Sequence, residues 1–178
     1  MHKLTTREMC YISIFVSIIA VCAQIAVPGP GGVPFTLQAW AVVLAGLTLG
    51  AKKGAIAAVI YVLLGAIGIP VFANFNGGFG VIIGPTGGFI LSFPLLAFCS
   101  GFLAKKNTPL VMVGVTTGTV INFAWGLFHF SNVTNLSLAV SFGYAVAPFL
   151  ISAVAKIMVL PVISKSINLA LVKARLSI

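Results

Sequence analysis

Residues 9–51, 54–104 and 107–155 contain no Lys, Arg, Asp or Glu, and the breaks between these runs are the pairs Lys52-Lys53 and Lys105-Lys106. Runs of that length without charge cannot cover a water-soluble surface, since soluble domains carry about 25% charged residues. Here 6% of the 178 residues are charged and 60% are hydrophobic. Each run exceeds the ~20 residues that span a bilayer core. Each is also interrupted by glycine, proline or a polar loop, so each folds as more than one pass. The expectation is an all-α, polytopic membrane protein in which residues 1–178 form a single domain of six transmembrane helices.

Net charge is +9, from ten Lys and Arg against the single acid Glu8. A nucleic-acid surface needs those cations clustered on polar, exposed structure. They stand instead at the ends of apolar runs: Lys3 and Arg7, the two Lys pairs, then Lys156, Lys165, Lys173 and Arg175. The predicted outer loops at 28–35, 70–86 and 129–147 have no Lys or Arg, while each predicted inner segment has at least two. By the positive-inside bias both termini are cytoplasmic, and a multi-pass protein of a prokaryotic plasma membrane is expected, surrounded by lipid. The apolar run after Arg7 is too long for a cleaved leader and is followed by equally apolar sequence, so it reads as the first span. Cys10, Cys22 and Cys99 are odd in number and read as small buried apolar residues.

The spans are expected at 9–27, 35–50, 54–69, 86–103, 109–130 and from Pro148 past Lys165, with a short surface helix at 138–144. Ser13, Ser17 and Ala20 recur at i, i+4 and i+7, a stripe of small residues against which another helix can pack, inside the bundle or from outside it. Gly118, Asn122, Trp125 and His129 share a face of the fifth span and are expected to line an interior. Between the third and fourth spans, residues 70–89 are rich in glycine and proline and carry no charge. Such a segment is irregular main chain able to approach a ligand closely, and it reads as an outer cap.

Lys156 is the most informative single residue. It lies in the sixth span, about 12 Å from the outer end at Pro148 by helical rise. An intramembrane lysine costs about 2.5–3.5 kcal/mol on insertion scales and marks a functional position by default. The chain has no nearby acid to pair with it. The anion then comes from a ligand, or Lys156 is a neutral or water-solvated lysine with only a structural role. Phe149, Ser152 and Ala153 share its face.

The outer half also supplies the aromatic residues Trp40, Tyr61, Phe72, Phe75, Trp125 and Tyr144, with Thr36, Gln38, Asn74, Asn76, Thr86 and Asn122. An apolar wall with a few orienting polar groups is the usual make-up of a small-molecule site. Singly, the aromatics fit interfacial anchors as well, and Asn74 and Asn76 fit turn formers. Catalysis has little to stand on: there is no paired carboxylate, no metal-ligand spacing and no phosphate-binding loop. No cofactor is expected.

In chain order, Val33-Pro-Phe-Thr-Leu-Gln38, Tyr61-x-x-x-Gly65-x-x-Gly68-Ile-Pro-Val-Phe-Ala73, Gly84-Pro-Thr-Gly-Gly-Phe89, and Pro148-Phe149 followed by Lys156 resemble the BioY family. These are the biotin-specific S components of energy-coupling factor (ECF) transporters. The resemblance implies a six-helix bundle that captures biotin from outside. It would deliver the vitamin by reorienting in the membrane, docked on a transmembrane coupling subunit and two cytoplasmic ATPase subunits. It further implies that Lys156 pairs with the ligand carboxylate and that Thr36, Gln38, Asn74, Thr86 and Ser152 supply polar contacts. Trp40, Tyr61, Phe72 and Tyr144 would wall the ring, and Ser13, Ser17 and Ala20 would form the docking surface.

The family usually has an Asp three residues before the lysine, where this chain has Ala153. Either the ligand carboxylate is the only partner of Lys156, or Ser152 or a neighbour rebuilds the contact, or the ligand is another small carboxylate vitamin. A stand-alone secondary transporter is the rival from another class, and it would ordinarily need titratable pathway residues or paired broken helices. An intramembrane enzyme is the weakest alternative.

Overall fold

The structure, a computed structural model, describes residues 4–173. Helix α1 (Thr6–Gln24) starts at a capping box: Thr5 Oγ1 accepts the Glu8 N–H at 3.3 Å, and Glu8 Oε2 accepts the Thr5 N–H at 2.8 Å. The same carboxylate meets Lys53 Nζ at 2.9 Å, so the only acid of the chain joins the start of α1 to the third helix. Helix α1 buries Ile12, Phe15, Val16, Ile19 and Ala23. Its other side shows Cys10, Ser13 and Ser17 to the outside, with Ala20 half-buried. The small-residue stripe therefore does not pack inside the bundle, and Cys10, one turn before Ser13, is exposed rather than buried. Ser13 Oγ donates to the Met9 carbonyl at 3.0 Å and Ser17 Oγ to the Ser13 carbonyl at 3.1 Å. Both hydroxyls are thus spent on their own helix.

Residues 26–36 are more ordered than the expected turn. Strand β1 (Ala26–Val27) pairs antiparallel with β2 (Phe35–Thr36), Ala26 opposite Thr36 and Val27 opposite Phe35. Helices α2 (Gln38–Leu49) and α3 (Ala51–Ala66) are joined through Gly50 at φ +81°, a left-handed conformation that glycine adopts without strain.

The cap is not wholly irregular. A tight turn at 72–76 is followed by the one-turn helix α4 (Phe79–Ile83). The span expected at 86–103 is broken at Ser92 into α5 (Gly87–Leu91) and α6 (Phe93–Phe102). Pro94 has no N–H to donate and sits in the first turn of α6, where that loss costs least. The break is closed from outside. Ser92 Oγ donates to the Phe89 carbonyl at 3.0 Å, and Asn122 Nδ2 reaches both Phe89 O at 2.9 Å and Ser92 Oγ at 2.7 Å.

Helix α7 (Thr108–Thr134) supplies that asparagine, followed by α8 (Leu138–Ala145) and α9 (Leu150–Lys173). Its buried face runs through Val111, Gly118, Asn122, Gly126 and Phe130. Trp125, expected on the interior face, is 53% exposed. The interior side passes through Gly126 instead, since a Cβ there would overlap the Phe89 ring.

Helices α2, α3 and α6 pack backbone to backbone. A Cβ at Gly54 would lie 2.6 Å from Gly46 Cα, and one at Gly101 would lie 2.5 Å from the Ala51 nitrogen. These close approaches lie toward the end of the bundle that carries the Lys pairs, and the cap lies at the other end. Among the described residues, Thr6–Gln24, Thr108–Thr134 and Leu138–Lys173 are long and apolar enough to cross a membrane, while Gln38–Leu49 and Phe93–Phe102 are apolar but shorter.

Candidate ligand-binding site

Under the cap lies a cavity of about 340 Å³, within the size range of small-molecule sites. One flap is the ribbon tip, through Pro28, Gly29, Gly32, Val33 and Pro34. It is fixed to the start of α9 by Phe35, whose ring stacks on Phe149 at 4.4 Å between centroids. The other flap is the turn at 72–76. Phe72 N–H donates to the Asn76 carbonyl at 2.9 Å, and Asn74 and Phe75 both take positive φ, 58° and 55°. Asparagine tolerates that region; a phenylalanine rarely enters it.

Gln24 holds the turn in place. Its Oε1 accepts the Phe75 N–H at 2.8 Å, and its Nε2 donates to Val71 O at 3.3 Å and Phe72 O at 3.2 Å. Gln24 is a functional residue missing from the expected set, although a glutamine ending an apolar helix before a glycine-rich loop is a visible signal.

Lys156 stands in the cavity wall at 3% exposure. Among the described residues it has no ion pair and no hydrogen bond, and the only side-chain carboxylate of the chain is committed to Lys53. A cation held in an apolar span without a counter-ion is costly, so the cavity is set up to favour an anion at this point. Ser152 and Ala153, on the same face of α9, and Phe149 just before the helix line the cavity with it.

Gln38, 5% exposed, also lines the cavity, and Tyr61 behind it sets its orientation. Tyr61 O–H donates to Val71 O at 2.9 Å, so the hydroxyl oxygen must accept, and it takes the Gln38 Nε2 proton at 2.7 Å. Gln38 Oε1 is left as an acceptor with no partner among the described residues. Two residues further along α2, Trp40 Nε1 donates to Ser152 Oγ at 3.0 Å, which fixes the indole across α2 and α9 and leaves the serine proton available. Asn122, with both Nδ2 bonds spent at the helix break, lines the same cavity and keeps Oδ1 without a partner among the described residues.

Eight of the expected ligand residues therefore meet in one cavity: Thr36, Gln38, Trp40, Phe72, Asn74, Thr86, Ser152 and Lys156. Two do not. Tyr61 is fully buried behind Gln38 and Phe72, with its ring edge-on to Phe72 at 5.6 Å. Tyr144 is 44% exposed and packs on the ribbon tip, where its Cβ would lie 3.0 Å from a Cβ added at Gly31. The tyrosine phenols are therefore not cavity groups. Asn76 lines the cavity, but its Nδ2 is turned back to Ala73 O at 3.0 Å. His129 bonds the Gly84 carbonyl at 3.0 Å through Nε2 and does not line the cavity, so it serves the cap's backbone.

The family model for the BioY family matches residues 1–173. The chain is 43% identical over 141 residues to a biotin transporter BioY of Thermotoga maritima, covering 78% of this chain and 83% of that protein. It is 44% identical over 120 residues to a probable biotin transporter BioY of Pyrococcus horikoshii, covering 67% of this chain and 74% of the relative. In fold it is similar to the crystal structure of the S-component for biotin from an ECF-type ABC transporter. The TM-score is 0.83 at 24% identity, over 93% of this chain and 94% of the other. Together with the apolar helices, these likenesses make the chain a membrane protein.

Proposed function

The chain belongs to the BioY family, and from that premise we propose that it captures biotin outside the cell and hands it inward as the specificity subunit of an ECF transporter. In this reading residues 1–178 form one domain that crosses the plasma membrane six times. Helices α1, α2, α3, α5 with α6, α7 and α9 are the passes, both termini are cytoplasmic, and the cap faces outward. The absence of Lys and Arg from the three outer loops supports that orientation.

The observation that carries the proposal is the buried, unpaired Lys156 in the wall of a cavity otherwise built from neutral groups. Biotin has one carboxylate and a neutral bicyclic ring. The carboxylate serves as the counter-ion of Lys156. Gln38 Oε1 and Asn122 Oδ1 accept from the ureido N–H groups, and Thr36, Asn74, Thr86 and Ser152 supply the remaining polar contacts. Phe72, Trp40 and Phe149 flank the ring. In the absence of an Asp at position 153, Ser152 and Gln38 take over the polar contact.

Transport needs energy that this chain does not generate. We assign that to partners: a transmembrane coupling subunit, which docks on the exposed face around Ser13, Ser17 and Ala20, and two cytoplasmic ATPases. Labelled biotin titrated into the purified protein tests the specificity, with saturable binding expected at or below about micromolar ligand. No binding there, with another small carboxylate vitamin binding instead, would overturn biotin as the substrate. Uptake into vesicles is expected to require the ATP-hydrolysing partners; uptake driven by an ion gradient alone would refute the subunit role.

A further inference from the structure

At the end of the bundle away from the cap there is a second cavity, of about 590 Å³, walled by Lys52, Lys53, Lys105, Lys106 and Lys165. Glu8 pairs with Lys53, and the chain has no other carboxylate side chain for the remaining four. Two further features of the wall call for an anionic, hydrogen-bonding occupant. Thr48 is only 7% exposed, and its Oγ1 has no hydrogen-bond partner among the described residues. Helix α3 also begins here: Gly50, Ala51, Lys52 and Lys53 line the cavity, no side chain caps the helix, and its first turn holds no acid. The uncapped amides of a 16-residue helix add partial positive charge at that point.

We propose that this cavity is a binding site for a phosphate-bearing anion, the headgroup of an anionic phospholipid. A soluble phosphate shares the chemistry that the lysines recognise. The lipid is the better fit, because Leu47, Leu171 and Val172 give the cavity an apolar side along which the glycerol and first methylenes can lie. Basic hollows between helices at the cytoplasmic side of a membrane are where such headgroups settle. Paired lysines at the ends of α2/α3 and α6/α7 orient the chain in the membrane. Brought together around one hollow by the fold, with Lys165 from α9, they also form a site.

Native mass spectrometry of the detergent-solubilised protein tests this with phosphatidylglycerol, phosphatidylcholine and inorganic phosphate as separate probes. The proteins compared are wild type, Lys106→Gln/Lys165→Gln, and Arg7→Gln/Lys173→Gln, which removes equal charge outside the cavity wall. Wild type should retain phosphatidylglycerol about tenfold better than phosphatidylcholine, the first double variant should lose about tenfold, and the second should stay near wild type. Inorganic phosphate binding with the same dependence on Lys106 and Lys165 would uphold the site and identify its source as soluble. Equal retention of phosphatidylglycerol by all three proteins, or no preference over phosphatidylcholine with no phosphate bound, would overturn it. Biotin binding, measured in parallel, reports on the separate cavity under the cap, so neither result stands in for the other.

Discussion

The backbone N–H of Phe75 donates to Gln24 Oε1 at 2.8 Å, which fastens the left-handed tip of the cap to the last residue of α1. With Nε2 on the carbonyls of Val71 and Phe72, one side chain bridges three successive parts of the turn. A non-glycine residue at positive φ costs about 1–3 kcal/mol and persists only where its surroundings hold it. Gln24 is what holds Phe75.

Gln24→Ala is therefore expected to speed the release of bound biotin about tenfold, from the loss of side-chain hydrogen bonds worth about 1 kcal/mol each net. Rapid dilution of labelled biotin from the variant measures it. A release rate equal to wild type would mean that the cap is held without Gln24.

Lys156→Met should weaken biotin binding about a hundredfold, in line with the cost of removing one partner of a buried charge pair. The carboxamide of biotin, which lacks the negative charge, should bind wild type and variant alike. Titration with both ligands separates the roles, because a lysine that only fills space would lose both equally.

Gly65→Ala tests the floor under the cap. A Cβ at this position would overlap the Phe72 ring, which is 1% exposed and lines the ligand cavity. Overpacking of this kind costs about 1–3 kcal/mol. The expected result is a lower melting temperature together with weaker biotin binding. Gly143→Ala, with nothing within 4 Å of the added methyl, should change neither.

Asn122→Leu should lower the melting temperature by removing the donor that reaches the break at Ser92. The cost of a buried carbonyl that loses a partner is about 1–3 kcal/mol. Melting in detergent measures the loss. A variant as stable as wild type would show that Ser92 alone satisfies Phe89.

Much of this site was legible because it depends on spacing along one element. By helical period alone Ser152, Ala153 and Lys156 share a face of α9, with Phe149 just before it on the same side, and all four line the cavity. The contacts that were not legible depend on two elements meeting. Whether Tyr61 faces a ligand or stands behind Gln38 is decided by how α3 lies against α2, and nothing local to Tyr61 encodes it. Trp125 was placed inside by extending the period of Gly118 and Asn122, but the ring of Phe89 needs the space at Gly126, which turns the tryptophan outward. The break at Ser92 did have a local signal: Pro94 after Gly87-Gly88 marks a helix start, not the middle of a span.

Ser17→Trp addresses the exposed side of α1. Ser13 and Ser17 have spent their hydroxyls on their own backbone, so the face offers small, self-satisfied surface suited to close helix contact. The bulky variant should fail to co-purify with the proposed coupling subunit while still binding biotin. Loss of both properties would point to damage in the bundle instead.

The solitary charge at Lys156 has an electrical consequence. In the proposed complex protonated Lys156 faces a bound carboxylate and the loaded cavity is neutral, whereas an empty cavity that kept the proton would carry one positive charge. Moving one elementary charge through a membrane potential of about 100 mV involves about 2.3 kcal/mol. A loaded protein that carries its cargo across would thus do so without electrical work, and voltage dependence would fall on an empty return in which Lys156 keeps its proton.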